Sequence, residues 1–404
     1  FVCHSSARTP ICRIDFFIFL IGVRVLYQAL YRKWRPMSFD DVVSQPHITT
    51  TLKNQIKSGK TAHAYLFTGS RGTGKTTCAR IFAKAINCLD PHDGEPCLEC
   101  EICKDADNGT LSDIIEIDAA SNSKVDDIRE LREGVVYTPE RCKYKVYIID
   151  EVHMLSAGAF NALLKTMEEP PPHVKFILAT TEIHKVPATI VSRCQHFDFH
   201  RIRNEDIVSR LMYIASQEGF TLHEDAAGMI ARLSDGGMRD ALSLLDQCVA
   251  YENDITLDVV SSASGIAGRD YLFDILEKIA EKDAAGALRV VDKLYDMSKD
   301  LKVLAGELLA QMRNVMIIKT IDNNKDLITC LPDEYERLKA LAERMKLDEI
   351  LGDINTLQEC SERFAKSTSK RIELEMCIIK LCGAAQKAGA TVQAVSGNAE
   401  ITVL

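Results

Sequence analysis

The pattern GxxxxGK[ST] constrains the fold of this chain more than any other feature, and it occupies residues 69–76 as GSRGTGKT. The apolar run Tyr65 to Phe67 precedes it and predicts a buried strand, and Thr77 to Asn87 has the spacing of a helix. Between a strand and a helix, glycines let successive backbone N–H groups face a polyphosphate at the positive end of the helix dipole. The pattern therefore predicts a phosphate-binding loop, with a chance Gly-rich turn as the alternative.

The side chains of this loop have separate predicted roles. Lys75 is expected to reach the β- and γ-phosphates. Thr76 is expected to place its hydroxyl on Mg²⁺, because this hard cation prefers oxygen ligands. The other predicted nucleotide contacts lie along the same stretch, at Gly69, Ser70, Arg71, Gly72, Thr73, Gly74 and Thr77.

A pair of acids follows a second apolar run. Residues Val146 to Ile149 lead directly into Asp150 and Glu151, which places two carboxylates at the C-terminal edge of a buried strand, where ligands bind in open α/β sheets. The first carboxylate can hold Mg²⁺, and the second can accept a proton from an attacking water. Acid pairs at strand ends are common by chance, but a phosphate loop upstream makes this pair a candidate hydrolytic site.

Four cysteines are spaced C-x8-C-x2-C-x2-C, at Cys88, Cys97, Cys100 and Cys103. Four thiolates can close a tetrahedral Zn²⁺ site, and a site closed by sulfur leaves no position for water, so the predicted metal is structural. A redox pair and an iron–sulfur cluster are the alternatives. His92 is a spare ligand by position, although a histidine in an exposed loop is more often solvated.

Strand and helix patterns alternate from residue 64 to 200 and give way to helices only after about residue 200. The alternation predicts an α/β fold with a parallel sheet covered by helices on both faces. The chain has 404 residues, which is long enough for two or three domains. Its composition, 46% hydrophobic and 26% charged, is that of ordinary globular proteins.

The net charge of −9 argues against binding nucleic acid through the overall field of the protein, so any DNA contact must be local. Fourteen cysteines are too sparse for a small secreted disulfide scaffold. A reducing, cytoplasmic location is therefore expected.

The N-terminal stretch is apolar but unsuited to cross a membrane. Asp15 and Arg24 interrupt the run well short of the ~20 residues that a spanning helix needs, so no membrane partner is expected. The first residue is Phe, and one hypothesis is that residues 1 to about 24 are upstream sequence, with Val25 at a non-Met start codon.

Further segments complete a family resemblance. Alongside the loop, the acid pair and the cysteines, the chain carries YQALYRKWRPMSFDDVVSQ, DAASNSKVDDIRELRE, DEVHMLSAGAFNALLKTMEEPP, FILATTE, SRC and GGMRDALSLLDQ. In this order, over roughly residues 27 to 383, they closely resemble the gamma/tau subunits of bacterial DNA polymerase III, which are AAA+ ATPases of the clamp loader.

The resemblance implies a role for each central residue. Asp150 would hold magnesium and Glu151 would activate water. Thr181 would be the sensor at the end of a strand, Arg193 a finger that reaches the ATP of a neighbouring subunit, and Arg239 the lid arginine that touches the γ-phosphate. The family's zinc module falls on the four cysteines.

Two further sets of contacts are implied less directly. Adenine contacts would come from Arg35, Pro36 and Val43. Candidate DNA contacts are Ser121, Asn122, Lys124 and Arg129, for which an ordinary exposed helix start is an equal alternative.

The implied architecture has five segments. A RecA-like AAA+ domain would cover 27–200 with its zinc module at 88–103, a helical lid 201–262, and a helical oligomerisation collar 265–383. Residues 1–26 would be an upstream or non-native extension, and 384–404 a tail or the start of a linker.

The implied function is that of an ATP-hydrolysing motor that loads the sliding clamp on primer-template DNA during replication, with ATP, Mg²⁺ and structural Zn²⁺ as cofactors. Its partners would be delta, delta prime, further gamma/tau copies, the clamp and DNA. Polymerase core and helicase would join only in a longer tau form. The polymerase reaction is not predicted here, because no carboxylate set beyond the ATPase site is present, and a polymerase label would belong to the holoenzyme.

Three alternatives have weaker support. A non-hydrolysing structural subunit of the same loader, such as delta prime, would share the zinc insert and SRC, but its phosphate loop is typically degraded. A DExH helicase would share DEVH but needs a second RecA-like domain. A zinc protein that reads DNA would conflict with the acidic surroundings of the cysteines.

Overall fold

The computed structural model describes residues 27–383 except 124, 266–269, 323–326, 329, 331, 365–366 and 368. The predictions for Lys124, for residues 1–26 and for residues 384–404 lie outside this part of the chain. The chain divides into two compact units between Asn253 and Asp254. The domain limits given above stay predictions.

A five-stranded parallel sheet forms the centre of the first unit. Its strands are β1 (Ala64–Gly69), β2 (Ile114–Asp118), β3 (Lys145–Asp150), β4 (Val174–Thr180) and β5 (Gln195–Phe199). They lie in the order β2-β3-β4-β1-β5, and every pairing is parallel. The predicted parallel α/β fold is confirmed.

The three central strands, β3, β4 and β1, are buried on both faces, which explains why they read as continuous apolar runs. Every residue of β4 is buried. Along β1, Leu66 faces one hydrophobic core, and its neighbours Tyr65 and Phe67 face the other. Helices must therefore cover both sides of the sheet.

Among the residues of the first unit that the structure describes, seven helices precede the lid. They are α1 (Leu30–Lys33), α2 (Pro46–Ser58), α3 (Lys75–Asn87), α4 (Glu101–Asn108), α5 (Val125–Val135), α6 (Ala157–Glu168) and α7 (Ala188–Val191), with 3₁₀ turns at Val152–Met154 and Ile183–Lys185. Side chains of α2 and α3 pack in one core and those of α5, α6 and α7 in the other. The three central strands are thus covered on both faces, and the exposed strand residues lie mainly on the edge strands β2 and β5.

The first unit ends in a small helical part. It contains α8 (Asn204–Glu218), the two-residue strand β6 (Thr221–Leu222), α9 (Glu224–Leu233) and α10 (Met238–Tyr251). The sequence pattern predicted helices only after residue 200, and β6 and β7 (Asp254–Ile255) contradict it. Two-residue strands are too short to produce a period-2 signal.

The described residues of the second unit form helices apart from β7 and the connecting segments. Its helices are α11 (Leu257–Ala263), α12 (Asp270–Ala280), α13 (Ala284–Asp296), α14 (Leu301–Thr320), α15 (Pro332–Arg344), α16 (Leu347–Phe364) and α17 (Lys370–Leu381). α12 to α17 share one hydrophobic core. Over the part of the chain that the structure describes, we find no helix with both the length and the apolar character needed to cross a membrane.

A buried carboxyl on α16 generates a stability prediction. The side chain of Asp353 is buried, and its Oδ2 has no hydrogen-bond partner among the described residues. Burial raises the pKa of Asp353 from its ordinary 3.8 to about 6. Because the pKa is higher in the folded state, the unfolded state loses its proton first, so folding stability falls as the pH rises from about 4 to 6 and stays low above that.

Asp353→Asn is therefore expected to raise the free energy of unfolding at pH 8 by about 1–3 kcal/mol and to change it little at pH 4. Urea unfolding at both pH values measures this. Glu362→Gln, which removes an exposed carboxylate from the same helix, is the control and should change stability little at either pH. A variant less stable than the parent at pH 8 would contradict the prediction.

Candidate functional site

The loop between β1 and α3 has a backbone that requires glycine. Gly69, Gly72 and Gly74 have φ values of +135°, +77° and +104°. A Cβ on Gly69 would lie 2.3 Å from the carbonyl oxygen of Phe199. The loop can therefore pass this close to the end of β5 only without a side chain.

Lys75 begins α3 and folds back over this loop. Its Nζ donates to the carbonyl oxygens of Gly69 at 2.9 Å and Ser70 at 2.7 Å. Burial holds the pKa of Lys75 below its usual range, although nearby carboxylates oppose the shift. The buried ammonium is thus held at the loop by neutral carbonyls, which a phosphate could replace as a stronger partner.

Asp150 and Thr76 meet at the C-terminal edge of the sheet. Thr76 Oγ1 donates to Asp150 Oδ2 at 2.7 Å, and the backbone N–H of Glu151 donates to Asp150 Oδ1 at 2.9 Å. A hydroxyl and a carboxylate side by side are the oxygen ligands that Mg²⁺ prefers. The donor set therefore fits the predicted cation.

Glu151 and Thr181 are also in contact. Glu151 Oε2 accepts from Thr181 Oγ1 at 3.1 Å, and Glu151 itself has a left-handed φ of +47° that turns the chain after β3. The buried His153 lies 3.4 Å from carboxylate oxygens of Glu151 and Glu182, and its Nδ1 lies 3.0 Å from Thr180 Oγ1. The ends of β3 and β4 are thus joined through the Glu151 carboxylate.

These elements surround a cleft of about 380 Å³. The predicted residues along its lining are Arg35, Pro36, Val43, Arg71, Gly72, Thr73, Gly74, Lys75, Thr76, Thr77, Asp150, Glu151 and Arg239. Gly69, Ser70 and Thr181 do not line the cleft, but they form hydrogen bonds with the lining residues Lys75 and Glu151. All three predicted adenine contacts are therefore in the same cleft as the phosphate loop.

Several lining residues were missed by sequence reasoning, namely Tyr31, Trp34, Val42, Asp118, Ile202, Arg210, Met238 and Leu242. Asp118 ends a strand, as Asp150 does, and that position was an available signal. Tyr31 and Trp34 belong to the N-terminal arm, residues 27–45, whose sequence contributed to the family resemblance without assigning a role to either position. Arg210 lies on α8, far from the loop in sequence, and no pattern indicated it.

The cleft carries an excess of positive charge. Its five cations are Arg35, Arg71, Lys75, Arg210 and Arg239, and its three carboxylates are Asp118, Asp150 and Glu151. Burial lowers the pKa of Arg35, and the nearby guanidiniums of Arg80 and Arg239 lower it further. Such a concentration of buried or crowded cations is complementary to a polyanion.

The start of α10 rests on the phosphate loop. The N–H of Met238 donates to the carbonyl oxygen of Gly72 at 3.0 Å. A Cβ on Gly72 would lie 2.9 Å from Gly237 Cα, so the two backbones touch directly. This contact brings Arg239, one residue further on, to the mouth of the cleft.

Arg193 is not among the residues that line the cleft. Its Nη2 lies 2.8 Å from Glu168 Oε1, and its Nη1 donates to the carbonyl oxygen of Thr189 at 2.8 Å. The guanidinium is about one third exposed. Glu168, the ion-pair partner, was not singled out from the sequence.

The four predicted cysteines converge. Their sulfurs all lie within 4.8 Å of one another, with Cys88 and Cys100 separated by 4.0 Å and Cys97 and Cys103 by 3.9 Å. Backbone N–H groups donate to three of the sulfurs, those of Cys88, Cys97 and Cys100. His92 is outside this cluster and pairs through its backbone with Glu95.

The described DNA candidates lie at the end of β2 and on α5. Ser121 Oγ and Asn122 Nδ2 donate to Asp118, and Arg129 Nη1 lies 2.9 Å from Asp126 Oδ1. Ser121 and Arg129 are exposed. These local hydrogen bonds are also what an ordinary exposed helix start would show.

Three family models match successive parts of the chain. Residues 44–203 match "DNA polymerase III, delta subunit", residues 206–254 match "DNA polymerase III clamp loader subunit, ATPase lid domain", and residues 255–393 match "DNA polymerase III subunits gamma and tau domain III".

Relatives in several bacteria match over most of the chain. DNA polymerase III subunit tau of Bacillus subtilis is 44% identical over 365 residues, which are 90% of this chain and 65% of that protein. The tau subunit of Escherichia coli is 42% identical over 72% of this chain and 46% of its own length. The gamma subunit of Buchnera aphidicola from Schizaphis graminum is 40% identical over 318 residues, which are 78% of this chain and 87% of that subunit.

The chain therefore spans about two thirds or less of the tau relatives and most of the shorter gamma relative. The match to gamma covers nearly all of that protein at an identity well above 30%, and the lid and domain III models match in the expected order. This chain belongs to the gamma/tau family of DNA polymerase III subunits.

Proposed function

We propose that this chain is an ATPase motor subunit of a bacterial DNA polymerase III clamp loader, using ATP binding and hydrolysis to load the sliding clamp on primer-template DNA. The observation that carries the proposal is the meeting of Lys75, Thr76, Asp150 and Glu151 at one sheet edge. A chain that only bound nucleotide would not need a second carboxylate beside the magnesium ligand.

Each side chain has a defined part in the proposed reaction. The loop N–H groups and Lys75 bind the β- and γ-phosphates, and Thr76 and Asp150 hold Mg²⁺, which neutralises developing charge on the phosphates when bound. Glu151 accepts a proton from the attacking water, and the Thr181 hydroxyl orients that carboxylate. Arg239 approaches the γ-phosphate from the lid.

Arg193 is proposed to act on the ATP of a neighbouring subunit. Its absence from the cleft lining of its own chain and its partial exposure support this role. The pair with Glu168 holds the guanidinium until a neighbour's phosphate competes for it. A site completed in this way is active only in the assembled ring.

The cysteine cluster is proposed to hold structural Zn²⁺. A tetrahedral ion bonded to four sulfurs at about 2.3 Å places those sulfurs about 3.8 Å apart, close to the 3.9 and 4.0 Å separations between paired sulfurs here. The site would fix the segment between α3 and α4, whose short length offers little apolar core of its own.

The partners are proposed from the family. They are delta, delta prime, further gamma/tau copies, the sliding clamp and primer-template DNA, with DNA contacts at Ser121, Asn122 and Arg129. Residues 201–262 would form the lid and 265–383 the collar. Contacts with polymerase core and helicase would need a longer tau form.

A non-hydrolysing structural subunit is the second candidate, because residues 44–203 match a model named for the delta subunit. The intact phosphate loop and Glu151 argue against it. Only a turnover measurement separates a chain that binds ATP from one that also cleaves it.

Glu151→Gln and Arg193→Ala are each expected to lower ATP turnover by at least about 100-fold. Turnover is measured with the other loader subunits, the clamp and primed DNA present. Arg363→Ala is the matched control, because Arg363 also forms an exposed pair with a glutamate, and it should retain turnover. Wild-type chain that binds ATP in this mixture but does not cleave it would establish the structural-subunit alternative.

Mixing the two inactive variants tests whether the site is shared. A ring that contains both variants has some interfaces where an intact Glu151 meets an intact Arg193 of the neighbour, so part of the turnover should return. No recovery in rings shown to contain both variants would contradict action in trans.

The purified chain is expected to contain one zinc ion, and Cys97→Ser should lose it and lower the thermal unfolding temperature, because metal binding contributes to folding. Elemental analysis and thermal unfolding measure both effects. Cys142→Ser, which changes a half-buried thiol outside the cluster, should keep its zinc. Iron in place of zinc would identify the iron–sulfur alternative. A chain without metal that loses two reactive thiols on oxidation would identify the redox alternative.

A further inference from the structure

The lid arginine, Arg239, lies in an electrostatically unfavourable place. It is the second residue of α10, where the positive end of the helix dipole opposes a cation. The cleft around it already holds four other cationic side chains. Among the described residues we find no ion pair that includes Arg239, so another interaction must keep its guanidinium in the cleft.

The ring of Tyr31 supplies that interaction. The guanidinium carbon of Arg239 lies 5.0 Å from the centre of the ring, within the range of a cation–π contact. Both side chains line the same cleft. A ring attracts a guanidinium without adding a negative charge, so it can hold Arg239 without competing for the anion that Arg239 is to meet.

The N-terminal arm fixes the ring relative to α10. Tyr31 lies on α1, which packs against α10. The Tyr27 hydroxyl donates to Asp246 on α10, and Trp34 Nε1 donates to Glu218 at the end of α8 at 2.6 Å. Lys33 lies 2.8 Å from the same Glu218 carboxylate. The arm is therefore attached to two of the three lid helices, to α10 before Tyr31 and to α8 after it.

We infer that Tyr31 is a positioning residue for Arg239, holding its guanidinium in the cleft before nucleotide enters. The inference rests on the proposed role of Arg239 at the γ-phosphate. A triphosphate then meets a cation already in place, and the side-chain entropy of ordering Arg239 is not lost on binding. A diphosphate does not reach Arg239 and gains nothing from Tyr31.

Nucleotide affinity tests this assignment. In a Glu151→Gln background, which prevents hydrolysis, Tyr31→Leu is expected to weaken ATP binding about two- to fivefold and to leave ADP binding unchanged. Tyr31→Phe keeps the ring and should bind ATP like the parent. Isothermal titration with Mg²⁺ measures both nucleotides, and unchanged ADP affinity shows that the variant cleft is folded.

The double variant shows whether the two side chains act together. In an Arg239→Ala background, Tyr31→Leu should have no further effect on ATP affinity. Equal losses for ATP and ADP, an equal loss with Tyr31→Phe, or tighter ATP binding by Tyr31→Leu would each overturn the inference. Equal losses would mean that the ring contacts the base or ribose.

The test also separates this inference from the proposed function. If Arg239→Ala lowers ATP affinity but not ADP affinity while Tyr31→Leu changes neither, only the role of Tyr31 is wrong. If Arg239→Ala leaves the ratio of ATP to ADP affinity unchanged, the γ-phosphate role of Arg239 is wrong, and the inference falls with it. Turnover that depends on Glu151 would survive either result.

Discussion

The parallel pairing of β4 with both β1 and β3 is the constraint on which the rest of the site depends. Phe176 lies opposite Ala64 in β1 and Tyr147 in β3. One buried strand thereby fixes the height at which its two neighbours end. The phosphate loop leaves β1 and the acid pair leaves β3 at the same edge, so a hydroxyl of one contacts a carboxylate of the other. A one-residue slip in this register would move side chains to the wrong face as well as separating the two halves of the site.

Short sequence motifs were enough to indicate most of the candidate site residues, because the members of each motif are close together in sequence. The phosphate loop, the acid pair and the cysteine cluster each lie within a short segment, and the structure brings the members of each together. The alternation of strands and helices was enough to predict the parallel sheet. The strand order was beyond that pattern, because it depends on which buried faces pack together.

The contacts that escaped prediction depend on packing between distant parts of the chain. Tyr31 and Arg239 are about 200 positions apart in sequence. The Glu218 carboxylate accepts a hydrogen bond from Trp34, which lies 184 positions before it. An aromatic residue in a basic stretch carries no sequence signal that says which arginine will lie on it. The two-residue strands β6 and β7 were missed for a different reason, since they are shorter than any periodic window.

Three candidate arginines differ in what surrounds the guanidinium. Arg35 is half-buried, Arg239 lies on an aromatic ring, and Arg193 pairs with a carboxylate. These interactions differ in how strongly they compete with an incoming anion. Burial and the ring leave the charge of the guanidinium uncompensated, whereas Glu168 must be displaced. In the proposed role of Arg193, a neighbour's phosphate would therefore have to replace the Glu168 carboxylate, so the contact would form only where the ring assembles.

The close approach of Gly72 and Gly237 has a consequence for how the lid and the phosphate loop communicate. The contact runs from backbone to backbone, through a hydrogen bond of Met238 and the bare Cα atoms of two glycines. Truncating side chains to alanine on either element removes none of these atoms. A scan that truncates only the neighbouring side chains would therefore leave this junction untested, whereas an alanine at Gly72 would place its Cβ 2.9 Å from Gly237 Cα. Any tilt of α10 must displace the loop that it touches.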